Sequence, residues 1–323
     1  MLEVKQYHKT SQNEWNQFVK NSKNGTFLFY RDFMEYHSDR FEDFSLLVYK
    51  KNKLIALLPA NRVGNKVFSH QGLTYGGFIL SKKVKFETVL EIVSQTLKYL
   101  EKQKILKLHL KLVPKIYNTY PSDEIDYLLF LLQAKLTRRD LSATIENKEA
   151  LKIQSNRLEG VKKARSKGLT IEKTSEFDEF WKEILIPNLE NTHQVKPVHS
   201  SEEIKLLAQK FPNHIQQYNV YDNLKIVGGA TVFVTERVVH IQYISAESNK
   251  QQLGTLDFLF QHLIEEEFKD KVYFDFGTSN ENQGLQINKG LLYWKECFGA
   301  RSVIHDFYEV ETRKHSLLND IFI

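Results

Sequence analysis

The chain has 323 residues, of which 41% are hydrophobic and 26% charged, and a formal net charge of +5. This length favours two domains over one, and the composition excludes a largely disordered chain. The single cysteine, Cys297, excludes an internal disulfide and a cysteine-based metal cluster. No stretch approaches the roughly 20 apolar residues that a membrane helix needs, so we expect a cytoplasmic protein without a membrane span.

The excess of lysine suits an acidic small molecule, a phosphate group or nucleic acid. Charge alone does not choose among these ligands, and a solvated lysine-rich surface explains it equally well.

Helix and strand signals alternate through the first half of the chain. Ser11 is a candidate N-cap for a first helix. The apolar runs 44–49 and 54–59, separated by KKNK, predict a hairpin, and apolar residues at helical spacing predict a long helix over 86–100. The other predicted elements are a helix over 31–37, strands over 67–70, 73–79 and 105–113, a helix over 121–134 and a strand over 138–145.

A polar linker, ENKEALKIQ, leads into the second half. A basic helix over 156–168 ends at Gly168, and helices over 176–190 and 201–209 follow it. Residues 214–221 and 225–234 predict another hairpin. The remaining elements are a strand from Val238, a helix that begins after Gly254, a strand over 271–277, a helix containing Trp294 and a strand over 302–311.

The two halves have the same order of elements, although their sequence identity is slight. Each half reads as two helices, a hairpin, a further strand, a long helix, a strand, a helix and a last strand. This order predicts two copies of one α/β fold, which we place at residues 1–150 and 151–323.

Two local motifs support a resemblance to a known family. The segment SNRLEGVKKARSKG at 155–168 and the segment GLLYWKECFGA at 290–300 are similar to motifs of the FemABX aminoacyltransferases, a group within the GNAT acyltransferase superfamily. The resemblance covers nearly the whole chain in element order. It implies two tandem GNAT-like domains, each a mixed and mostly antiparallel sheet flanked by helices. It also implies that the second domain carries the active site, because LSKKVKF has no glycine at the donor loop of the first.

The resemblance places a catalytic lysine at Lys295, which would stabilise the oxyanion formed when an amine attacks an activated carbonyl. A fixed cation in a partly dehydrated cleft can lower such a barrier by several kcal/mol. Asp275, at a strand end, is a candidate acceptor for the proton of the attacking amine. Two structural alternatives stay open: Asp275 caps the following turn, and Lys295 is an exposed partner of Glu296 or Asp306.

The loop before the helix that begins after Gly254 is the candidate donor site. Backbone N–H groups at a helix N-terminus bind phosphate, and a glycine lets a ligand approach closely. The predicted cofactor-binding residues are Gln251, Gln252, Gly254 and Thr255. Leu256 stands where GNAT enzymes have a small residue, so acyl-CoA and aminoacyl-tRNA both remain candidate donors.

The predicted substrate-binding residues are Tyr75, His193, Lys196, Tyr243, Ser279, Asn280 and Trp294. The glycines that flank Tyr75 have an alternative explanation, which is the close approach of a neighbouring strand. Because His193 and His199 lack the spacing of a helical metal pair, we predict no metal.

These features predict an N-acyltransferase or aminoacyltransferase acting on an amine of a cell-envelope precursor, either a small amino sugar or a peptide, with tRNA as a candidate partner. The alternative from another class is a non-catalytic protein that binds a nucleotide-linked sugar or tRNA on the same fold. An acetyl-CoA-dependent enzyme would differ from the first hypothesis only in its donor and acceptor.

Overall fold

A computed structural model describes residues 2–323, apart from the side chains of Thr192 and His193. The chain divides into two compact units. The first contains the residues up to Asp140, Gln283–Leu285 and Ile304–Ile323, and the second contains Leu141–Asn282 and Gln286–Val303. The predicted domains, 1–150 and 151–323, stay a prediction; the division into compact units differs from them because the last strand returns to the first unit.

The elements of the first half follow in chain order. They are β1 (Leu2–Gln6), α1 (Gln12–Asn21), α2 (Arg31–Met34), β2 (Glu42–Asp43), β3 (Leu46–Lys50), β4 (Lys53–Leu58), β5 (Asn61–Val63), β6 (Lys66–Phe68), β7 (Ile79–Leu80), α3 (Phe86–Lys102), β8 (Lys107–Lys111), α4 (Glu124–Leu131) and β9 (Lys135–Glu146).

The second half continues with α5 (Ser155–Ser166), β10 (Thr170–Thr174), α6 (Ile186–Asn188), α7 (Ser201–Lys210), β11 (Ile215–Asp222), β12 (Lys225–Val234), β13 (Val238–Ala246), α8 (Lys250–Leu253), α9 (Thr255–His262), β14 (Tyr273–Thr278), β15 (Asn280–Glu281), β16 (Gln286–Ile287), α10 (Lys289–Glu296) and β17 (Arg301–Glu311).

The first unit contains two sheets. One has the strand order β1-β3-β4-β7 with antiparallel neighbours. In the other, β17, β8, β6, β5 and β2 follow one another, and only β6 and β8 among these neighbours run parallel. The apolar face of α3, with Val89, Val93 and Leu97, packs into the core of this unit, as its helical spacing predicts.

The second unit is built on one mixed sheet with the order β10-β11-β12-β13-β14, followed by residues 141–146 of β9. β13 and β14 run parallel and the other neighbours antiparallel. Phe260 of α9 and Phe274 and Phe276 of β14 are buried in the core of this unit. The predicted α/β class, with mixed sheets flanked by helices, is confirmed.

Several predicted elements differ from the structure. The strand predicted over 73–79 is a loop that reaches strand geometry only at Ile79–Leu80. Gly76 forms only an isolated parallel bridge with Leu112, and its backbone packs so closely that a Cβ atom would lie 1.8 Å from the carbonyl oxygen of Ser69. The helix predicted over 121–134 covers only Glu124–Leu131, and β1 was not predicted.

Candidate active site

The parallel strands β13 and β14 separate after three paired residues, which forms a fork in the sheet of the second unit. Residues 238–240 pair with 273–275, and His240 and Asp275 form the last pair. β14 then bulges against β9 between Asp275 and Thr278, at Gly277, whose φ is +74°. Bulges re-aim the backbone groups of a strand. The fork therefore presents the carbonyl groups of β14 away from the regular ladder.

Lys295, on α10, uses these redirected carbonyl groups. Its side chain is 4% exposed, and Nζ donates hydrogen bonds to the carbonyl oxygens of Gly277 at 2.9 Å and Thr278 at 2.8 Å. Burial lowers the pKa of Lys295 to about 8, although Asp275 acts to raise it. Because an ammonium group has three N–H donors and two are used, one remains for a ligand.

Asp275 is held on both carboxylate oxygens. Oδ1 accepts hydrogen bonds from the Ser142 hydroxyl at 2.5 Å, the Thr144 hydroxyl at 3.1 Å and the Gly277 amide at 2.9 Å. Oδ2 lies 2.9 Å from His240 Nδ1. Burial alone would raise the pKa of Asp275. Its hydrogen bonds, of which the contact with His240 has the largest effect, hold the pKa at about 2 instead.

This environment argues against the predicted role of Asp275 as the proton acceptor. A carboxylate with so low a pKa, and with hydrogen bonds to both of its oxygens, is a weak proton acceptor. Its contact with the Gly277 amide matches the turn-capping alternative. The residue that sequence reasoning missed is His240; its signal was an imidazole inside the apolar strand VVHIQYI, but the pairing with Asp275 depends on the parallel register.

A cavity of about 440 Å³ lies beside α10 in the same unit. α10 lines it through Gly290, Leu291 and Trp294. The polar side chains on its wall are Arg157, Asn188, Ser245, Lys250, Gln251 and Asp257. Two positive charges and one negative charge beside apolar surface suit a polar ligand with an anionic group.

Asp257 organises one wall of this cavity. Its Oδ1 accepts hydrogen bonds from Arg157 Nη1 at 3.0 Å and Trp294 Nε1 at 3.2 Å. Burial raises the pKa of Asp257, while Arg157 acts to lower it. The carboxylate stands in the first turn of α9, where a negative charge offsets the helix dipole.

Gly254 has a packing role in the structure. Its φ is +74°, and a Cβ atom there would lie 2.0 Å from the carbonyl oxygen of Gly160 on α5. Gly160 is packed just as closely, since a Cβ atom added there would lie 2.0 Å from Asp257 Oδ2. Helix α5 therefore occupies the Cβ side of Gly254, and the binding of a ligand at this residue stays a prediction.

Known proteins resemble this chain in fold but only weakly in sequence. No protein-family model and no curated protein matches it. FemX is 11% identical with a TM-score of 0.67, over 98% of this chain and 99% of that one. L-PGS from Bacillus licheniformis is 12% identical with a TM-score of 0.63, over 95% of each chain. A tandem GNAT protein from the clavulanic acid biosynthesis pathway is 9% identical with a TM-score of 0.51, over 97% of this chain and 99% of that one.

The chain shares its fold with FemX, with L-PGS and with the tandem GNAT protein. The resemblance inferred from the two motifs is thus confirmed at the level of the fold.

In this tandem GNAT fold, the predicted donor residues separate into two groups. Gln251 lines the cavity, and Gln252 is exposed. Thr255 is fully buried and its hydroxyl has no hydrogen-bond partner among the described residues, so it is not presented to a ligand. From the predicted donor set, Gln251 therefore lines the cavity, together with the neighbouring Lys250, which was not predicted.

The predicted substrate residues are also divided. Ser279 is 4% exposed near the fork, and within the part of the chain that the structure describes its hydroxyl has no hydrogen-bond partner. The side chain of Asn280 is hydrogen-bonded within the protein, since its Oδ1 accepts a hydrogen bond from the Leu141 amide at 2.6 Å. The Tyr243 hydroxyl lies 2.7 Å from His199 Nδ1, and burial raises its pKa to about 12.

Neither Tyr75 nor Lys196 is among the residues that line the cavity. Tyr75 is in the core of the first unit, 2% exposed, and its hydroxyl donates to Thr26 Oγ1 at 3.0 Å, which does not support its predicted substrate-binding role. Lys196 is exposed on a loop. The side chain of His193 lies outside the described residues.

Within residues 2–323, His193 excepted, no cluster of three His, Cys, Asp or Glu side chains could hold a metal ion. No helix in the same part of the chain combines the length and apolarity needed to cross a membrane.

Proposed function

We propose that the chain is an N-acyltransferase or aminoacyltransferase of the FemAB-like GNAT type. It transfers an acyl group to an amine of a cell-envelope sugar or peptide precursor by direct aminolysis, without a covalent enzyme intermediate. The observation that carries the proposal is Lys295, a buried cation bound to the carbonyl oxygens of Gly277 and Thr278, on the helix that also lines the cavity.

Lys295 has the properties of an oxyanion stabiliser. When the amine nitrogen attacks the carbonyl carbon, a C–N bond forms and the carbonyl electron pair moves to oxygen. The free N–H of Lys295 can donate to that oxygen in a site with little water, where such a contact is worth several kcal/mol. The C–O or C–S bond of the donor then breaks, and the proton lost by the amine neutralises the leaving group.

Helix α5 supports an aminoacyl ester over acyl-CoA as the donor. It packs against Gly254, and Asp257 adds a negative charge at the first turn of α9. Both features oppose a pyrophosphate at the position where GNAT enzymes bind one. The same helix carries exposed cations at Lys162, Lys163 and Arg165, followed by Lys167 at its C-cap, which suit a nucleic-acid backbone.

The acceptor class rests on the shared fold with FemX and on the amine chemistry that Lys295 would serve. The cavity wall offers Asp257 to a cationic group and Arg157 with Lys250 to an anionic one. A precursor with an amine beside a carboxylate or phosphate fits these charges.

The test is a transfer assay with the full chain, aminoacyl-tRNA or acetyl-CoA as the donor, and a panel of amino sugars and cell-wall peptide precursors as acceptors. We expect transfer from aminoacyl-tRNA, and Lys295→Ala to lower its rate about 100- to 1,000-fold. Lys289→Ala is the matched control, because Lys289 is an exposed lysine on the same helix.

Three outcomes would contradict parts of the proposal. Transfer from acetyl-CoA alone would overturn the donor. An unchanged rate in Lys295→Ala would remove that residue from the mechanism. Binding of tRNA or precursor without transfer to any amine would favour the non-catalytic alternative.

A further inference from the structure

We propose that Nε2 of His240 accepts the proton of the attacking amine, and that Asp275 is the positioning residue that orients His240. The inference rests on the proposed acyl transfer and assigns its proton acceptor to a residue that the sequence did not indicate.

Asp275 fixes which nitrogen of His240 is available. An ionised carboxylate only accepts hydrogen bonds, so the 2.9 Å contact between Asp275 Oδ2 and His240 Nδ1 places a proton on Nδ1. In a neutral imidazole the lone pair then lies on Nε2. Because Ser142, Thr144 and the Gly277 amide hold the other carboxylate oxygen, the pair is fixed rather than freely rotating.

His240 and Lys295 both contact Gly277. A Cβ atom at Gly277 would lie 3.2 Å from Cε1 and 4.0 Å from Nε2 of His240, so the imidazole lies against this residue. Lys295 Nζ donates to the carbonyl oxygen of the same residue at 2.9 Å. A proton acceptor and a cation for the oxyanion are thus both held at one bulge, where the strands separate.

The step balances with these two groups. The nitrogen lone pair forms the C–N bond, the carbonyl electron pair moves to the oxygen near Lys295, and one N–H proton passes to His240 Nε2. Collapse of the intermediate breaks the C–O bond, and the same proton passes from Nε2 to the leaving oxygen. No oxidant or further reactant is required.

Among the described residues, the first unit has no such pair at the corresponding place. Its parallel strands β6 and β8 also end their pairing after three residues, with Phe68 opposite His109. Phe68 takes the place of His240, and His109 takes that of Asp275. The carboxylate beside His109 is on the antiparallel neighbour β17, where Glu309 Oε2 lies 3.4 Å from Nε2. An imidazole and a carboxylate joined between parallel strands are therefore a feature of the second unit.

Asp275 of β14 pairs with His240, and Lys295 of α10 is bound to the Gly277 carbonyl oxygen at the same bulge. From β9 the hydroxyl groups of Ser142 and Thr144 approach the pair. A change in the acidic part of the pH–rate profile on mutation of His240 would thus report this imidazole.

The experiment compares His240→Gln, Asp275→Asn and the control His262→Gln in the full chain. His262 also pairs with a carboxylate, Glu266, but on the surface of α9. We expect His240→Gln to lower kcat about 100- to 10,000-fold, to leave donor KM within about threefold, and to flatten the acidic limb of the pH–rate profile. Added imidazole should restore part of the rate, and the control should match the wild type.

Two results obtained with an active wild type would overturn the inference. One is a His240→Gln rate within about threefold of the wild type while Lys295→Ala is inactive, which would leave the proposed function intact. The other is a lost rate with an unchanged pH profile and no imidazole rescue, which would indicate a structural role. Should the wild type transfer to no amine, the proposed function fails and this role fails with it. Nitrogen NMR of His240 then still reports, independently of activity, whether Nδ1 carries the proton.

Discussion

The Nζ atom of Lys295 lies 2.9 Å from the carbonyl oxygen of Gly277, and no carboxylate of the described residues bonds to it. A buried ammonium loses its proton more easily than an exposed one, so burial lowers the pKa of Lys295 to about 8 against the opposing effect of the Asp275 charge.

This pKa predicts how transfer depends on pH. The cation is present below about pH 8 and is lost as the pH rises through this value, so we expect the rate to fall on the alkaline side. Lys295→Arg keeps its charge at every such pH, because a guanidinium stays protonated. Between pH 6 and 10, the transfer rate of Lys295→Arg should have a lower maximum than that of the wild type. It should not decline near pH 8, where the wild-type lysine loses its proton. A decline identical to that of the wild type would assign it to another group.

Asp275 predicts a loss of stability in acid. Its pKa is lowered from 3.8 to about 2, so its ionised form stabilises the fold above the higher value, and this contribution disappears as the pH falls towards the lower one. The difference corresponds to about 2 kcal/mol. In urea unfolding, Asp275→Asn should be less stable than the wild type at pH 6, and the gap should narrow by this amount near pH 2. Asp270→Asn, at an exposed position, is the control and should show no such change.

Gly168 and Gly254 both have a positive φ, but they differ in how closely other atoms approach them. A comparison of the two glycines therefore distinguishes the cost of backbone strain from the cost of close packing. Gly168 has φ of +73° with no described atom within 4 Å of an added Cβ atom, whereas at Gly254, with φ of +74°, that atom would lie 2.0 Å from the Gly160 carbonyl oxygen. Gly168→Ala should cost about 1–2 kcal/mol of unfolding free energy. Gly254→Ala should cost about 1–3 kcal/mol more, because α5 must also move. Equal losses by urea unfolding would show that α5 does not press on Gly254.

The exposed cations of α5 predict a salt-dependent interaction with tRNA. Replacing Lys162 and Lys163 with glutamine should weaken binding and reduce the slope of log K against log salt by about 1 for each phosphate that the helix no longer neutralises. Lys269→Gln removes an exposed lysine elsewhere and should leave the slope unchanged. Filter binding between 50 and 200 mM salt measures these slopes, and a flat salt response in the wild type would exclude this helix as a tRNA-binding element.

Local sequence patterns predicted the elements better than their contacts. The spacing of Val89, Val93 and Leu97 defined α3, and the Asp222–Asn223 turn defined the β11–β12 hairpin, because both signals lie within one segment. The motif around Lys295 identified the fold through its resemblance to FemABX proteins.

The contacts of the site could not be predicted from local patterns because they join distant segments. Ser142 bonds to Asp275 across 133 positions of sequence, and His240 meets Asp275 only through a parallel register of three pairs. The sequence suggested the approach of a ligand at Gly254, and its close packing against Gly160 was visible only in the structure. Tyr75 was ambiguous for the same reason.

The return of β17 has a consequence for synthesis on the ribosome. Residues 107–111 of the first unit pair with 307–311, so the complete second unit emerges before the first can finish its sheet. Until β17 has been synthesised, one edge of β8 in the nascent first unit stays unpaired. This exposed edge can pair with a wrong strand or bind a chaperone. Cutting the gene between the halves would therefore yield an N-terminal fragment that lacks one of its own strands.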